Sequence, residues 1–162
     1  MDLVTIITPI YNGEKYLDRY FSQIEAISYK NLQVIVVNDG SKDKTSEVVK
    51  KYIEIDNRID FIDKKINEGV SSARNDAIKK AKGKFCFFFD CDDTFEAKIV
   101  EKCIAKVKSD TDTVCYNYAS VRRDGSISNH EFSYSRRQYN KEEIMEQILP
   151  HSFGISIVDL KR

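Results

Sequence analysis

The sequence predicts an α/β fold, a mostly parallel sheet flanked by helices on both faces. Three observations carry that expectation. Short β-branched or aromatic runs alternate with stretches whose apolar residues recur at helical spacing. The run Phe85 to Phe89 is wholly apolar, as expected for a strand buried on both sides. Three of these runs end in polar clusters: Tyr11-Asn12, Asp39-Gly40-Ser41 and Asp90-Cys91-Asp92-Asp93. In open parallel sheets ligands bind beyond the carboxyl ends of the strands, so all three clusters are expected on one rim.

The elements follow in order. Val4 to Ile10 is the first strand, closed by Tyr11-Asn12-Gly13. Leu17, Tyr20, Phe21, Ile24 and Ile27 mark the inner face of the first helix. Leu32 to Asn38 is a second buried strand, and Asp43 or Ser41 is placed to cap the helix carrying Val48, Val49, Tyr52 and Ile53. Ile59 to Ile62 makes a short third strand. Ser71 to Lys82 is a helix with Ala73, Ala77, Ile78 and Ala81 inward, ended by Gly83. Phe85 to Phe89 is the fourth strand, and Ile99, Val100, Cys103, Ile104 and Val107 mark the fourth helix. Thr113 to Val121 reads as a fifth strand and Asp124-Gly125 as a hairpin turn. Asn129 to Asn140 reads as a polar, aromatic loop, Lys141 to Leu149 as a last short helix, and the ending ISIVDLKR as the start of another strand.

Bulk composition narrows the function. The chain has 162 residues, the size of one domain, and a 41% hydrophobic fraction with nine Phe and nine Tyr supplies a core. The 26 basic and 26 acidic residues cancel, which gives no support for nucleic-acid binding. Cys86, Cys91, Cys103 and Cys115 contain no CxxC pair, so a zinc site is not expected. Cys86 and Cys103 fall in apolar patterns and read as buried reduced thiols, which fits the cytosol. No signal peptide opens the chain, and no apolar run is long enough to span a bilayer.

The acids carry the chemistry. Asp90, Asp92 and Asp93 repel one another, and such a cluster needs raised pKa values or a cation. Hard carboxylate oxygens suit Mg²⁺ or Mn²⁺. A helix cap by Asp93 or Thr94 accounts for one acid but not for three. A divalent cation reverses the local sign and holds a diphosphate. A neighbouring acid accepts from ribose hydroxyls, Asp39 accepts from a base N–H, and Tyr11 stacks on a ring. This set suits transfer of a group away from a nucleoside diphosphate.

The ordered motifs TPIYN, VVNDGSKD, NEGVSSARNDAIKKAKG and FFFDCDD closely resemble the family 2 glycosyltransferases of the GT-A fold, a Rossmann-like mostly parallel sheet. The resemblance runs from Val4 to Asp93 and continues less clearly to the end. It implies an inverting transferase moving a sugar from a nucleoside-diphosphate donor, with UDP favoured, to a hydroxyl of a glycan or lipid-linked acceptor. Pro9, Tyr11 and Asn12 fall in its first donor motif, Tyr11 beside the base. Asp39 matches the acid that contacts the base. Asp90 and Asp92 match the DxD motif, Asp90 towards the ribose and Asp92 as direct ligand of Mn²⁺ or Mg²⁺, and Asp93 matches a following acid. Arg74 and Asn75 match an ARN element near the donor pocket; for Arg74 a salt bridge to the rim acids is the equal alternative. The resemblance also implies work in bacterial surface polysaccharide synthesis, in the cytoplasm or peripherally at the inner face of the plasma membrane.

There are departures. Asn38 stands where the family usually has Asp, which leads to an expectation of altered donor choice, and Lys44 replaces a frequent Gly. The general base of inverting members lies well downstream of DxD. Here about seventy residues follow Asp92, and Glu131, Glu142, Glu143, Glu146 and Asp159 read as solvated acids rather than a base motif. The chain is therefore read as a single domain, 1–162, lacking its C-terminal acceptor-side portion. His130 reads as solvated, and His151 as solvated or as an additional metal ligand. Two alternatives stand beside the transferase. One is a catalytically incomplete nucleotide-sugar-binding module. The other is a haloacid-dehalogenase-like phosphatase, since DCDDT fits its nucleophile motif, although that strand should come first and here is fourth.

Overall fold

A computed structural model describes residues 1–108, 111, 113–114, 116, 118–122, 124–130 and 157–159. The chain divides into two units, Met1–Val114 with Ile157–Arg162, and Cys115–Ser156.

The larger unit is a six-stranded sheet. Its elements are β1 (Val4–Ile10), α1 (Glu14–Ala26), β2 (Leu32–Asp39), α2 (Thr45–Ile55), β3 (Ile59–Lys64), α3 (Val70–Lys80), β4 (Phe85–Phe88), α4 (Ile99–Ile104), β5 (Thr113–Val114) and β8 (Ile157–Asp159). The strand order is β3-β2-β1-β4-β8-β5. The first four strands are mutually parallel, and β8 runs antiparallel to both β4 and β5. The order reverses around β1, because β2 lies on one side of it and β4 on the other. That is the switch point at which such sheets leave a crevice.

Side-chain alternation divides the core between the two faces. Ile7, Ile35, Val37 and Cys86 meet Ala73 and Ala77 of α3, whose small side chains let the helix lie close to the sheet. On the other face the Thr8 hydroxyl bonds the buried Tyr20 hydroxyl of α1 at 2.6 Å. Phe21 of α1 stacks on Tyr52 of α2 with centroids 4.1 Å apart, which joins the two helices. β1 and β2 are buried along their whole length, as helices on both faces require. Cys86, Cys91 and Cys103 are buried; Cys115 lies outside the described residues. No helix of the described residues is long and apolar enough to cross a membrane.

Several boundaries differ from expectation. β3 runs two residues further, to Lys64, because Asp63 and Lys64 pair in register with Asn38 and Asp39. α3 ends at Lys80, before Gly83, whose N–H instead donates to the Thr5 hydroxyl across the start of β1. The span 113–121 is two strands, with β5 in the large sheet and Tyr118–Val121 (β6) in the second unit. β6 pairs antiparallel with Ile127–His130 (β7) across the Asp124-Gly125 turn. Asn129 and His130 are thus strand residues rather than loop. The ending strand is present as β8. The 141–149 helix, Glu131, Glu142, Glu143, Glu146 and His151 lie outside the described residues.

Candidate donor-binding site

The carboxyl ends of β1, β2 and β4 open onto one cleft of about 370 Å³. Pro9, Tyr11, Asn12, Asp39, Asp90 and Asp92 all line it, with Tyr16, Asn67, Gly69 and Val70. Arg74 and Asp93 do not. Six residues picked from three separate motifs thus share one cavity.

Each wall has a local cause. Pairing between β1 and β4 ends at Ile7 and Phe88, and the Phe89 N–H still bonds the Ile7 carbonyl. Pro9 turns the same edge two residues later, beyond the ladder, where a missing N–H costs nothing. Asn12 follows in a left-handed conformation, φ 53°, which Asn tolerates. Its N–H donates to Ser41 Oγ at 2.9 Å, and its Oδ1 accepts the Lys42 N–H at 2.8 Å. Asp43 accepts the Thr45 N–H of α2 through Oδ1 and the Glu14 N–H of α1 through Oδ2. One carboxylate thus serves the first turns of two helices, and burial, which would raise its pKa, is outweighed by these bonds. The side-chain oxygen of Asn12 is spent on this interlock; Tyr11, half exposed, offers a ring to the cleft.

Asp39 is 3% exposed. Its Oδ1 accepts the Glu68 N–H at 3.1 Å and the Lys64 ammonium at 3.0 Å, and its Oδ2 accepts the Gly69 N–H at 2.8 Å. Burial pushes the carboxyl up, but these three donors together hold its pKa below the ordinary value. A carboxylate has about four acceptor positions, so about one stays open. Sequence reasoning saw Asp39 but not Lys64, because a lysine at a strand end carries no distinctive signal.

Asn38, beside it, does not line the cleft. It is 3% exposed, donates to Asp63 Oδ1 at 2.7 Å and accepts the Ser41 N–H at 3.1 Å. An Asp here would face the Asp63 carboxylate. The departure at Asn38 is therefore matched by Asp63, and the Asn38 side chain holds the turn and does not face the cleft.

The acidic turn is held from outside. Phe89 and Phe95, at its two ends, stack at 4.1 Å. Gln23 of α1 donates to the Asp93 carbonyl at 3.2 Å and accepts the Phe95 N–H at 3.0 Å, and Arg19 donates to the Asp92 carbonyl. Partial burial, then the charges of Asp90 and Asp92, raise the Asp93 pKa. Burial followed by repulsion from Asp92 and Asp90 pushes the Cys91 thiol up to about 11. Arg74 Nη2 donates to Asp90 Oδ1 at 3.1 Å, the geometry of the salt-bridge alternative. Its Nε is buried without a partner. Asn75 is exposed and outside the cleft. Asp159 pairs in register with Phe85, at the opposite end of β4 from the acids.

Comparison with known proteins agrees with this geometry. A family model described as Glycosyl transferase family 2 matches residues 5–158. Glycosyltransferase GlyA of Streptococcus pneumoniae is 36% identical over 151 residues, 91% of this chain and 22% of its own length. S. aureus TarS 1–349 superposes with a TM-score of 0.60 at 29% identity, over 64% of this chain and 32% of its own, and has also been solved in complex with UDP-GlcNAc. Mannosyltransferase PcManGT from Pyrobaculum calidifontis, in complex with GDP-Man and Mn²⁺, shares the fold with a TM-score of 0.67 at 21% identity, over 72% of this chain and 36% of its own. The chain spans less than a quarter of GlyA and about a third of each structural neighbour. Its sheet, with the helices on both faces, is that of these GT-A enzymes, and the chain belongs to glycosyl transferase family 2.

Proposed function

We propose that this chain forms the donor side of an inverting, metal-dependent glycosyltransferase that takes a UDP-sugar and glycosylates a hydroxyl of a glycan or lipid-linked acceptor. The observation that supports this most is the shared cleft: Tyr11, Asp39, Asp90 and Asp92 come from three strand tips and line one cavity. Tyr11 stacks on the base, Asp39 accepts from a ring N–H with its open lone pair, and Asp90 accepts from ribose. The neighbours' ligands, UDP-GlcNAc in TarS and GDP-Man with Mn²⁺ in PcManGT, belong to this chemical class.

The donor set suits a divalent cation at Asp92. That residue is exposed and stands in a cluster whose mutual repulsion a cation relieves. Among the described residues no three His, Cys, Asp or Glu side chains converge as a closed metal cage. Mg²⁺-type sites characteristically use one or two carboxylates and complete the shell with phosphate and water oxygens. When bound, the cation stabilises charge developing on the departing diphosphate. The acceptor hydroxyl gives its proton to a general base as its oxygen attacks the anomeric carbon in line and the bond to the diphosphate breaks, which inverts the centre. By resemblance this chemistry serves bacterial surface polysaccharides at the inner face of the plasma membrane.

Thermal stabilisation by a panel of nucleotide-sugars, with and without Mn²⁺, tests the reading. At 100-fold over Kd a ligand stabilises by about 2.7 kcal/mol, a shift of about 5–10 °C for a chain of this size. A UDP-sugar should give that shift only with the metal, and donor hydrolysis should accompany it. Binding without turnover supports the binding-module alternative. Absence of any nucleotide shift, or aryl phosphate hydrolysis abolished by Asp90→Asn, contradicts the proposal.

A further inference from the structure

Lys64 is the last residue of β3. Its side chain is 11% exposed. The ammonium lies 3.0 Å from Asp39 Oδ1, 2.6 Å from Glu68 Oε2 and 3.6 Å from Asp76 Oδ2. It also donates to Ser72 Oγ at 3.0 Å. Three carboxylates, from the tip of β2, from the β3–α3 loop and from α3, therefore meet one cation. The hydrogen bond to Glu68, then the pairing with Asp39, raise the lysine pKa, so it stays charged throughout the neutral range.

The protonation state of Asp39 decides what it recognises. A carboxylate only accepts, whereas a carboxylic acid also donates. With three bonds already made, the ionised Asp39 has one acceptor position to offer. A base edge bearing a ring N–H, as in uracil or guanine, complements it; a ring nitrogen lone pair, as in cytosine or adenine, opposes it. The geometry points to Lys64 as a positioning residue that holds Asp39 as a carboxylate with one lone pair open, and so sets the cleft's preference for bases carrying a ring N–H. This rests on the nucleotide-sugar reading.

Removing the lysine charge leaves Asp39 buried, with Glu68 beside it and Asp76 close behind. Both acids and the burial favour the protonated form, opposed only by the two backbone N–H groups. The lost recognition should therefore grow as pH falls.

The test is calorimetric titration of UDP and CDP with Mn²⁺ between about pH 5 and about pH 8, the range over which a raised carboxylate titrates. Expressing each result as variant over parent cancels titration of the nucleotide itself. Lys64→Met should bind UDP about tenfold more weakly than the parent near pH 5, the scale of one hydrogen bond to a charged group. The deficit should narrow towards pH 8, and the variant's UDP-over-CDP preference should be weakest near pH 5 and recover as the deficit narrows. Lys64→Arg should recover both. The double variant Lys64→Met/Asp39→Asn should bind no more weakly than Asp39→Asn alone. A pH-independent deficit that is equal for UDP and CDP, or full additivity in the double variant, overturns the role of Lys64 and leaves the nucleotide reading standing. A parent that binds no UDP overturns both. If Lys64→Met does not fold, Glu68→Gln carries the test, because it keeps the backbone N–H and leaves the lysine to Asp39. UDP affinity should then hold or tighten, and a fall overturns the inference.

Discussion

Gly40→Ala is the perturbation whose size the structure fixes best. Gly40 follows Asp39 with φ +69°, and a Cβ there would lie 2.6 Å from both Asn67 N and Ile66 C. Both neighbours are backbone, so no side chain can swing aside. The left-handed conformation costs Ala about 1 kcal/mol relative to Gly. Overlap with packed backbone adds about 1–3 kcal/mol. The total, about 2–4 kcal/mol, lowers the melting point by about 5–15 °C for a chain of this length. Gly125→Ala is the internal control: φ is +81° but nothing lies within 4 Å, so only the conformational cost of about 1 kcal/mol applies. The displaced segment leads directly into the Glu68 and Gly69 N–H groups that hold Asp39. UDP affinity should therefore fall about tenfold in Gly40→Ala, the scale of one charged hydrogen bond, and stay unchanged in Gly125→Ala. Urea unfolding and UDP titration of the two variants decide it. If Gly40→Ala is as stable as Gly125→Ala and binds UDP like the parent, the contact between these two loops does not organise the site.

Asn38→Asp restores the family's usual acid but sets it against Asp63, at a contact of 2.7 Å. We expect a loss of about 2–4 kcal/mol at neutral pH, from a broken buried bond and an unpaired charge. The loss should shrink near pH 4 as one acid protonates, and the preference between UDP and GDP should not move; a changed preference would restore a donor role to this position. Asp39, Asp43, Asp56 and Asp63 all have folded pKa values held below the ordinary one. Their contribution to stability is full above the unfolded value of about 3.9 and is lost as pH falls through the folded values. The melting point should therefore begin to fall near pH 4, and a steep fall between pH 7 and pH 5 would contradict these bonds. Asp92→Ala should abolish the gain in UDP affinity produced by Mn²⁺ while leaving the melting point of the free protein within a few degrees, because this side chain is exposed. Calorimetry with and without chelator measures both arms.

The strands of the donor half were legible because each is a nearly unbroken β-branched or aromatic run, such as VTIITPI and LQVIVV. Their polar tips were legible for the same reason: Asn12, Asp39 and Asp90 stand out against the apolar residues before them. Sheet membership was not. The residues of β5 and β6 look continuous in sequence, yet they pair with different partners, and only β8, more than forty residues after β5, shows where β5 belongs. The supporting residues were equally hidden. Lys64, Arg19 and Gln23 are ordinary polar residues, and their importance comes from what approaches them: Asp39 from β2 for the lysine, the acidic turn for the other two. Asn38 was visible as a departure but its reason was not, because Asp63 reaches it only across the β2–β3 pairing.

A crystal structure of the chain with UDP and Mn²⁺ tests the central claim most directly. It should show the metal on Asp92 and both phosphates, the uracil against Tyr11, and its ring N–H on the remaining Oδ2 lone pair of Asp39. UDP seated outside this cleft, or a metal bound with no contact to Asp92, would contradict it.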